Sequence, residues 1–245
     1  KSGDAAPVLQ ALTFPLPDAA ISIPVDLKAA ISTPNDLVQL DRITGTVGEK
    51  IVSGQLALAR STGKVVGTLE FDRLSLAGLS SFVLGTPTSS QSGGLWSSTR
   101  FGAQVQPTFD AQVAVRTPEF SLGVGPTAKD ASFTVRWHEN AFEISDAKAA
   151  FATGQMTGSL ALRRQDALAT YTGKIGMKGV PVKALLPNAG LDGKLDLDVD
   201  LGGSGESMAG FAASLAGGGA VKLNNARVEA FDLGALPRLT AVLDA

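Results

Sequence analysis

Apolar and polar residues alternate along most of this chain, and period-two alternation is typical of strands that bury one face. The clearest example is residues 191–201, where Leu195, Leu197 and Val199 face one way and aspartates face the other. Similar alternation predicts strands over residues 37–71 and 105–162. Because strand follows strand with short connections, we expect a mainly β protein built on an antiparallel sheet.

Residues typical of turns and of helices interrupt the alternation at several places. Thr117-Pro118 predicts a turn between two strands, and the prolines among residues 1–36 allow only an edge strand at 21–27. Short helices are expected at residues 76–84, 182–186 and 204–215. The third should begin at Ser204 or Ser207 as its N-cap and end at the glycines 217–219.

A strand-turn-strand unit recurs in the sequence. One copy covers residues 54–60 and 67–79, and a second covers 158–164 and 173–185. Counted from Gly67 and Gly173, both copies carry apolar residues at plus 2, 4, 7, 9 and 12, and a looser third copy runs over residues 219–236. Repetition without a shared catalytic residue predicts that the repeats build a surface.

The repeats suggest three segments along the chain. Residues 1–85 form an N-terminal β-repeat segment, residues 86–104 a Ser/Gly-rich connection, and residues 105–245 a C-terminal β-repeat segment with short helices. The sequence opens and closes in mid-pattern, so we expect it to be part of a longer protein.

The composition and net charge of the chain argue against some classes of function. Hydrophobic residues make up 44% and charged residues 18% of the 245 residues, below the usual charged share of about 25%. The net charge is −2, and basic residues do not cluster, which argues against nucleic-acid binding. The chain has no cysteine, which excludes disulfides and Cys-based metal sites.

Candidate catalytic patterns are weak, so we expect no enzyme activity, catalytic residue, metal site or cofactor. His138 is the single histidine, and a Ser-His-Asp relay would depend on it. Ser145 and Lys148 match S-x-x-K, but in a regular strand they would point to opposite faces. Asp196, Asp198 and Asp200 fit a solvated strand face, and residues 202–207 fit a turn with a helix cap.

The apolar face of the repeats is the candidate site. It comprises Leu56, Leu58, Leu69, Phe71, Leu160, Leu162, Ile175, Met177, Leu195, Leu197 and Val199. In a closed sandwich these residues would be core, and in an open curved sheet they would line a groove. The sequence pattern leaves both arrangements open.

Residues 191–223 resemble the C-terminal region of the AsmA family, which has an alternating Leu run ending in glycines and serine, a short Leu/Ala helix, and a returning strand. Residues 228–233 resemble its closing motif, with Ala230 where glycine is usual. Residues 149–162 are similar to its glycine-bounded hairpins. The resemblance covers about residues 37–236.

The resemblance implies an elongated, curved sheet in a periplasmic protein, anchored in the inner membrane of a Gram-negative bacterium by a segment outside this sequence. It implies a role in outer-membrane biogenesis, with phospholipid acyl chains as partners moving along an apolar groove. The alternative is a structural or interaction module that acts on outer-membrane protein assembly through contacts with envelope proteins.

Overall fold

A computed structural model describes residues 24–84, 96–102, 109–123 and 126–228. Within these ranges twelve strands form one sheet, accompanied by three short helices. The strands are β1 (Val25–Ser32), β2 (Leu37–Val47), β3 (Lys50–Ala59), β4 (Lys64–Phe71), β5 (Leu74–Ser75), β6 (Asp110–Ser121), β7 (Ala128–His138), β8 (Ala141–Phe151), β9 (Gly154–Gln165), β10 (Leu168–Pro181), β11 (Leu191–Gly205) and β12 (Ala216–Val228). The helices are α1 (Leu76–Leu84), α2 (Val182–Leu185) and α3 (Met208–Ala213).

The sheet follows chain order, β1-β2-β3-β4-β6-β7-β8-β9-β10-β11-β12, with the two-residue β5 also paired to β6. This arrangement confirms the predicted mainly β fold. The prediction of a wholly antiparallel sheet is wrong at one place, because β4 and β5 pair with β6 in parallel. Parallel neighbours need a long crossover, and α1 lies in the connection between β5 and β6.

Strand β6 corrects a second expectation, since it runs through Thr117-Pro118 instead of turning there. On the β4 side the pairing stops at Arg116, and it resumes with β5 at Phe120. Pro118 falls in this gap. Because no neighbouring strand needs a backbone N–H at Pro118, the missing donor costs no ladder hydrogen bond.

The sequence repeat is also a structural repeat. In the β3–β4 hairpin Leu56 pairs with Gly67 and Gly54 pairs with Leu69. In the β9–β10 hairpin Leu160 pairs with Gly173 and Gly158 pairs with Ile175. Each hairpin therefore sets a leucine or isoleucine beside a glycine in the same register. A helix follows each copy, α1 after β5 and α2 after β10.

Two helices match the prediction and the third differs. Helices α1 and α2 lie where the sequence places them. Helix α3 begins after Ser207, whose hydroxyl accepts a hydrogen bond from the Gly210 N–H at 3.1 Å. Ser204 belongs to β11, and the glycines 217–219 lie inside β12. Because these three glycines pair with residues 199–201 of β11, they continue a strand instead of ending a helix.

Buried side chains form two separate clusters at opposite ends of the central strands. The aromatic cluster comprises Val83, Leu84, Phe101, Trp137, Phe142, Leu162, Ala169 and Phe211. The Phe151 cluster comprises Ala128, Phe151 and Val180, with partly buried neighbours that include Leu185 of α2. On β10 the two clusters are anchored by Ala169 and Val180, near the first and last residues of that strand.

Some predicted features lie outside the described residues. The predicted edge strand at 21–27 is described only from residue 24, where β1 continues to residue 32. Most of the Ser/Gly-rich connection and the end of the third repeat copy are also outside. Among the described helices, none is long and apolar enough to cross a membrane.

Candidate functional site: an apolar sheet face

Cross-strand register places all eleven predicted apolar residues on one side of the sheet. Directly paired residues share a face, so a row of pairs can be followed from strand to strand. One row runs through Leu58, Val65, Ala111, Trp137, Phe142, Leu162, Tyr171 and Gly203. On β11 the partners of Ile175 and Met177 are Val199 and Leu197, and Val180 pairs with Leu195. We call this side the apolar face and the opposite side the polar face.

The predicted residues differ in how far the protein covers them. Leu162 is buried in the aromatic cluster, and Met177 packs against the Phe151 cluster. The other nine are half-buried, with neither full cover nor full exposure. Among the described residues no second sheet lies over them. The middle of the apolar face is therefore a surface of partly exposed aliphatic side chains.

The gap between the two clusters is wide enough for an acyl chain. On β10, Tyr171 and Met177 pack against the two clusters and lie six positions apart, or about 20 Å at the usual rise of a strand. Half the hydrocarbon core of a bilayer is about 15 Å. Eleven strands at about 4.8 Å spacing extend the face over about 50 Å across the sheet.

Charge is nearly absent from this face across β8–β11. In the regular pairs of these strands, Arg164 is the single residue on the apolar side that is charged at neutral pH. The charged residues of the polar side include Lys174, Asp198 and Asp200, which alternate along the strands with the aliphatic residues. The face is therefore suited to hydrocarbon and unsuited to a charged or strongly hydrated ligand.

Arg164 is a buried structural residue. Its side chain is held at the end of β9, where Nη2 donates hydrogen bonds to the carbonyl oxygens of Gly102 at 2.7 Å and Asp166 at 3.1 Å. The guanidinium carbon lies 5.9 Å from the centroid of the Phe101 ring. Burial lowers the pKa of Arg164, although arginine keeps its charge in proteins. The residue ties the 96–102 segment to the aromatic cluster.

Helix α3 closes the same end of the face. The Phe211 ring lies 5.0 Å from Phe101 and 4.6 Å from Tyr171, and the Tyr171 hydroxyl donates to the Phe211 carbonyl at 3.2 Å. Burial raises the pKa of Tyr171. A Cβ on Gly205 would lie 2.7 Å from the Gly210 carbonyl carbon. The glycine at residue 205 therefore lets helix α3 approach β11 closely, and Ser207 caps that helix.

The acidic ladder of β11 has structural partners. Asp196 accepts hydrogen bonds from the Gly179 N–H at 2.7 Å and from the Asn224 side chain at 2.9 Å, and these lower the pKa of Asp196. Asp200 pairs with Lys174 at 2.9 Å. In the described part of the chain no group of three or more His, Asp or Glu side chains could hold a metal ion.

His138 lies at the exposed end of β7. Its Nδ1–H donates to the Asp110 carboxylate at 2.5 Å. This bond and the negative charge of Asp110 raise the pKa of His138. The contact joins the end of β7 to the start of β6.

A β-bulge corrects the prediction for Ser145 and Lys148. Asp146 has a φ of 56°, and the pairing of β8 with β9 shifts by one residue between Ile144 and Ala147. The extra residue brings Ser145 and Lys148 to the same, polar face. Periodicity could not reveal this change, because a bulge interrupts the alternation without altering the residue pattern.

The polar face carries a shallow depression that the sequence did not indicate. Its open volume is about 580 Å³, and it crosses β8–β12. Its lining includes the polar-face side chains Glu143, Ser145, Ser159, Thr172, Lys174 and Asp200. Ile144, Leu160 and Leu201, which the register assigns to the apolar face, also contribute, whereas Ile175 and Val199 do not.

The family assignment rests on a match over most of the chain. Residues 87–241 match the model of the AsmA family. The chain belongs to the AsmA family. AsmA membership is consistent with a role in the biogenesis of the bacterial envelope. No curated protein and no solved structure matches this AsmA-family chain significantly.

Proposed function

We propose that this AsmA-family chain is a non-enzymatic periplasmic module that guides phospholipid acyl chains along its apolar face. The observation that carries the proposal is the row of half-buried aliphatic residues between the two clusters, including Leu160, Ile175 and Val199. Exposing such a surface to water costs a free energy of about 25 cal/mol per Å² of apolar area. Acyl chains would remove that cost without demanding a fixed hydrogen-bond geometry.

The two clusters define the sides of the proposed path. The aromatic cluster covers one end of the central strands and the Phe151 cluster covers the other. Between them the aliphatic side chains follow one another across neighbouring strands. A lipid would therefore lie with its acyl chains across the strands and could move from strand to strand. Its charged headgroup would stay in water, since the face offers no exposed partner charge across β8–β11.

In this proposal the module works in the periplasm, and a segment of the parent protein outside this sequence anchors it to the inner membrane. Transport between the two membranes of a Gram-negative envelope would supply phospholipid to the outer membrane. The support is the AsmA family match together with the uncharged aliphatic face.

Site-specific photo-crosslinking tests the proposal. A photoreactive amino acid at Ile175 or Leu197 should capture phospholipid in cells that express the full-length protein. The matched controls are Lys174 and Asp198, which are chain neighbours on the polar face. Capture at the first pair alone supports the proposal, whereas no capture or equal capture at all four positions contradicts it.

A second candidate is an interaction module that affects outer-membrane protein assembly. The shallow polar-face depression favours it, because its mixed lining of Glu143, Ser159 and Lys174 could meet a polar protein surface. Copurification of an assembly factor, lost on substituting these residues and accompanied by no bound lipid, would select this candidate.

A further inference from the structure

The free edge of β12 is a second exposed surface, distinct from the apolar face. β12 pairs with β11 on one side and, in the described part of the chain, with nothing on the other. Of its 13 residues all but one are exposed. A strand edge of this length presents a row of backbone N–H and C=O groups that can accept another strand.

The direction of each backbone group along β12 follows from its pairing. A Cβ on Gly219 would lie 2.1 Å from the Asp198 carbonyl oxygen, so that oxygen faces β12. Asp198 pairs with Ala220. In an antiparallel pair successive residues direct their backbone groups to opposite sides. Ala220 therefore points toward β11, and Gly219 and Val221 point toward the free edge.

The opposite edge of the sheet is protected, whereas the β12 edge is not. Pro24 precedes β1, and the pairing of β1 contains a bulge between Lys28 and Ala30. Proline, bulges and lysine are common devices against strand addition. Residues 216–223 of β12 pair with β11 without a bulge and contain one charged residue, Lys222.

We propose that β12 pairs antiparallel with β12 of a second copy of this chain, about a two-fold axis at Ala220. In this register Gly219 meets Val221 of the second copy, and Gly217 meets its Leu223. Each aliphatic side chain then lies beside a glycine, as Leu56 does with Gly67 and Leu160 with Gly173 inside the sheet.

Charge and symmetry agree with this register. Lys222 lies opposite Gly218 of the second copy, so the two lysines are not neighbours; a two-fold axis at Lys222 would set like charges face to face. The axis runs perpendicular to the sheet, so the apolar faces of both copies lie on the same side. The interface is isologous and closes as a dimer.

Disulfide trapping tests the register. Because the chain has no native cysteine, a disulfide in a single-cysteine variant can only join two copies at the introduced position. At the two-fold axis Ala220 forms a non-hydrogen-bonded pair with its copy, with Cα atoms about 4.5 Å apart, within the range that a disulfide spans. Under mild oxidation Ala220→Cys should give a linked dimer. Lys222→Cys should stay unlinked, since the two copies of residue 222 lie about 13 Å apart along the strands. Equal linkage of both variants, or none of Ala220→Cys, would overturn the proposal.

Analytical ultracentrifugation of the chain without introduced cysteine tests whether the β12 edge forms the dimer. Val221→Pro removes an N–H that points to the free edge, so the dimer should dissociate at concentrations where the parent chain stays dimeric. Leu27→Pro on the β1 edge is the matched control and should leave the dimer intact. Circular dichroism verifies that both variants fold, and Val221→Lys replaces Val221→Pro if the latter unfolds. A monomeric parent chain, or dissociation by Leu27→Pro as well, contradicts the two-fold pairing.

Discussion

At the scale of single residues, polar contacts in the described part of the chain connect the ends of neighbouring strands. His138 donates to Asp110 across the ends of β7 and β6, and Asp196 accepts from the Gly179 N–H at the bulge of β10. The titratable side chains of His138, Asp110 and Asp196 therefore each contact another residue of the sheet. Their role is to fix strand ends and bulges, which keeps the aliphatic residues in register.

The single histidine gives a direct test at this scale. Because Asp110 raises the pKa of His138, the NMR titration of its imidazole should have a midpoint above about 6.5, the usual histidine value. In Asp110→Asn the midpoint should fall toward that value. An unchanged midpoint in the variant would show that the contact does not form in solution.

The same shift predicts the sign of a pH effect on stability. The folded pKa of His138 lies above its unfolded value, so the contact contributes its full stability below about pH 6.5. The contribution is lost as the pH rises through the folded pKa. Thermal unfolding of the parent chain, compared with Asp110→Asn, should therefore show a stability difference at pH 6 that shrinks by pH 9.

At the scale of elements, the hairpin repeat depends on glycines that let neighbouring strands approach closely. A Cβ on Gly67 would lie 2.1 Å from the Gln55 carbonyl oxygen, whereas a Cβ on the equivalent Gly173 would lie 3.1 Å from the Ser159 oxygen. The first contact is with rigid backbone at a distance that no real Cβ atom shows. The two copies share a register but differ in how tightly they are packed.

This difference predicts unequal effects of the same substitution. Gly67→Ala should lower the free energy of unfolding by about 1–3 kcal/mol, as overpacking does. Gly173→Ala should cost less, because a shift of a few tenths of an ångström relieves its contact. Urea denaturation of both variants measures the difference, and an equal or reversed order would contradict the close approach at Gly67.

The clusters and the open face should respond differently to truncation. Phe151 is fully buried, so Phe151→Ala should lower the free energy of unfolding by about 3–5 kcal/mol. Ile175 is half-buried on the open face, and Ile175→Ala should cost about 1 kcal/mol, because less area returns to water. Equal losses in urea denaturation would mean that Ile175 belongs to a closed core.

Local pattern was enough to predict most strands, helices α1 and α2, and the common face of the eleven apolar residues. These features depend on alternation and on turn chemistry within a few residues. The parallel pairing of β4 with β6 could not be predicted, since it depends on a crossover of nearly forty residues. The bulge at Asp146 and the passage of β6 through Pro118 were missed because each depends on what the neighbouring strands require.

At the scale of the whole molecule, the described residues form one layer of sheet with covered ends and an uncovered aliphatic middle. A single layer has two faces, and here one is nearly free of charge across β8–β11 while the other carries most of it. Pairing of two copies through β12 would join their apolar faces on one side. The architecture fits a surface along which hydrocarbon moves, and its polar contacts maintain the shape of that surface.

The amount of phospholipid that copurifies with the chain tests the central claim most directly. It should be measured by mass spectrometry of lipid extracts from the parent chain, from Ile175→Asp, and from Lys174→Asp as the polar-face control, with circular dichroism to verify folding. We expect bound phospholipid in the parent chain and the control, and a loss of most of it in Ile175→Asp. A parent chain free of lipid, or equal lipid in all three proteins, would contradict the claim that the apolar face holds acyl chains.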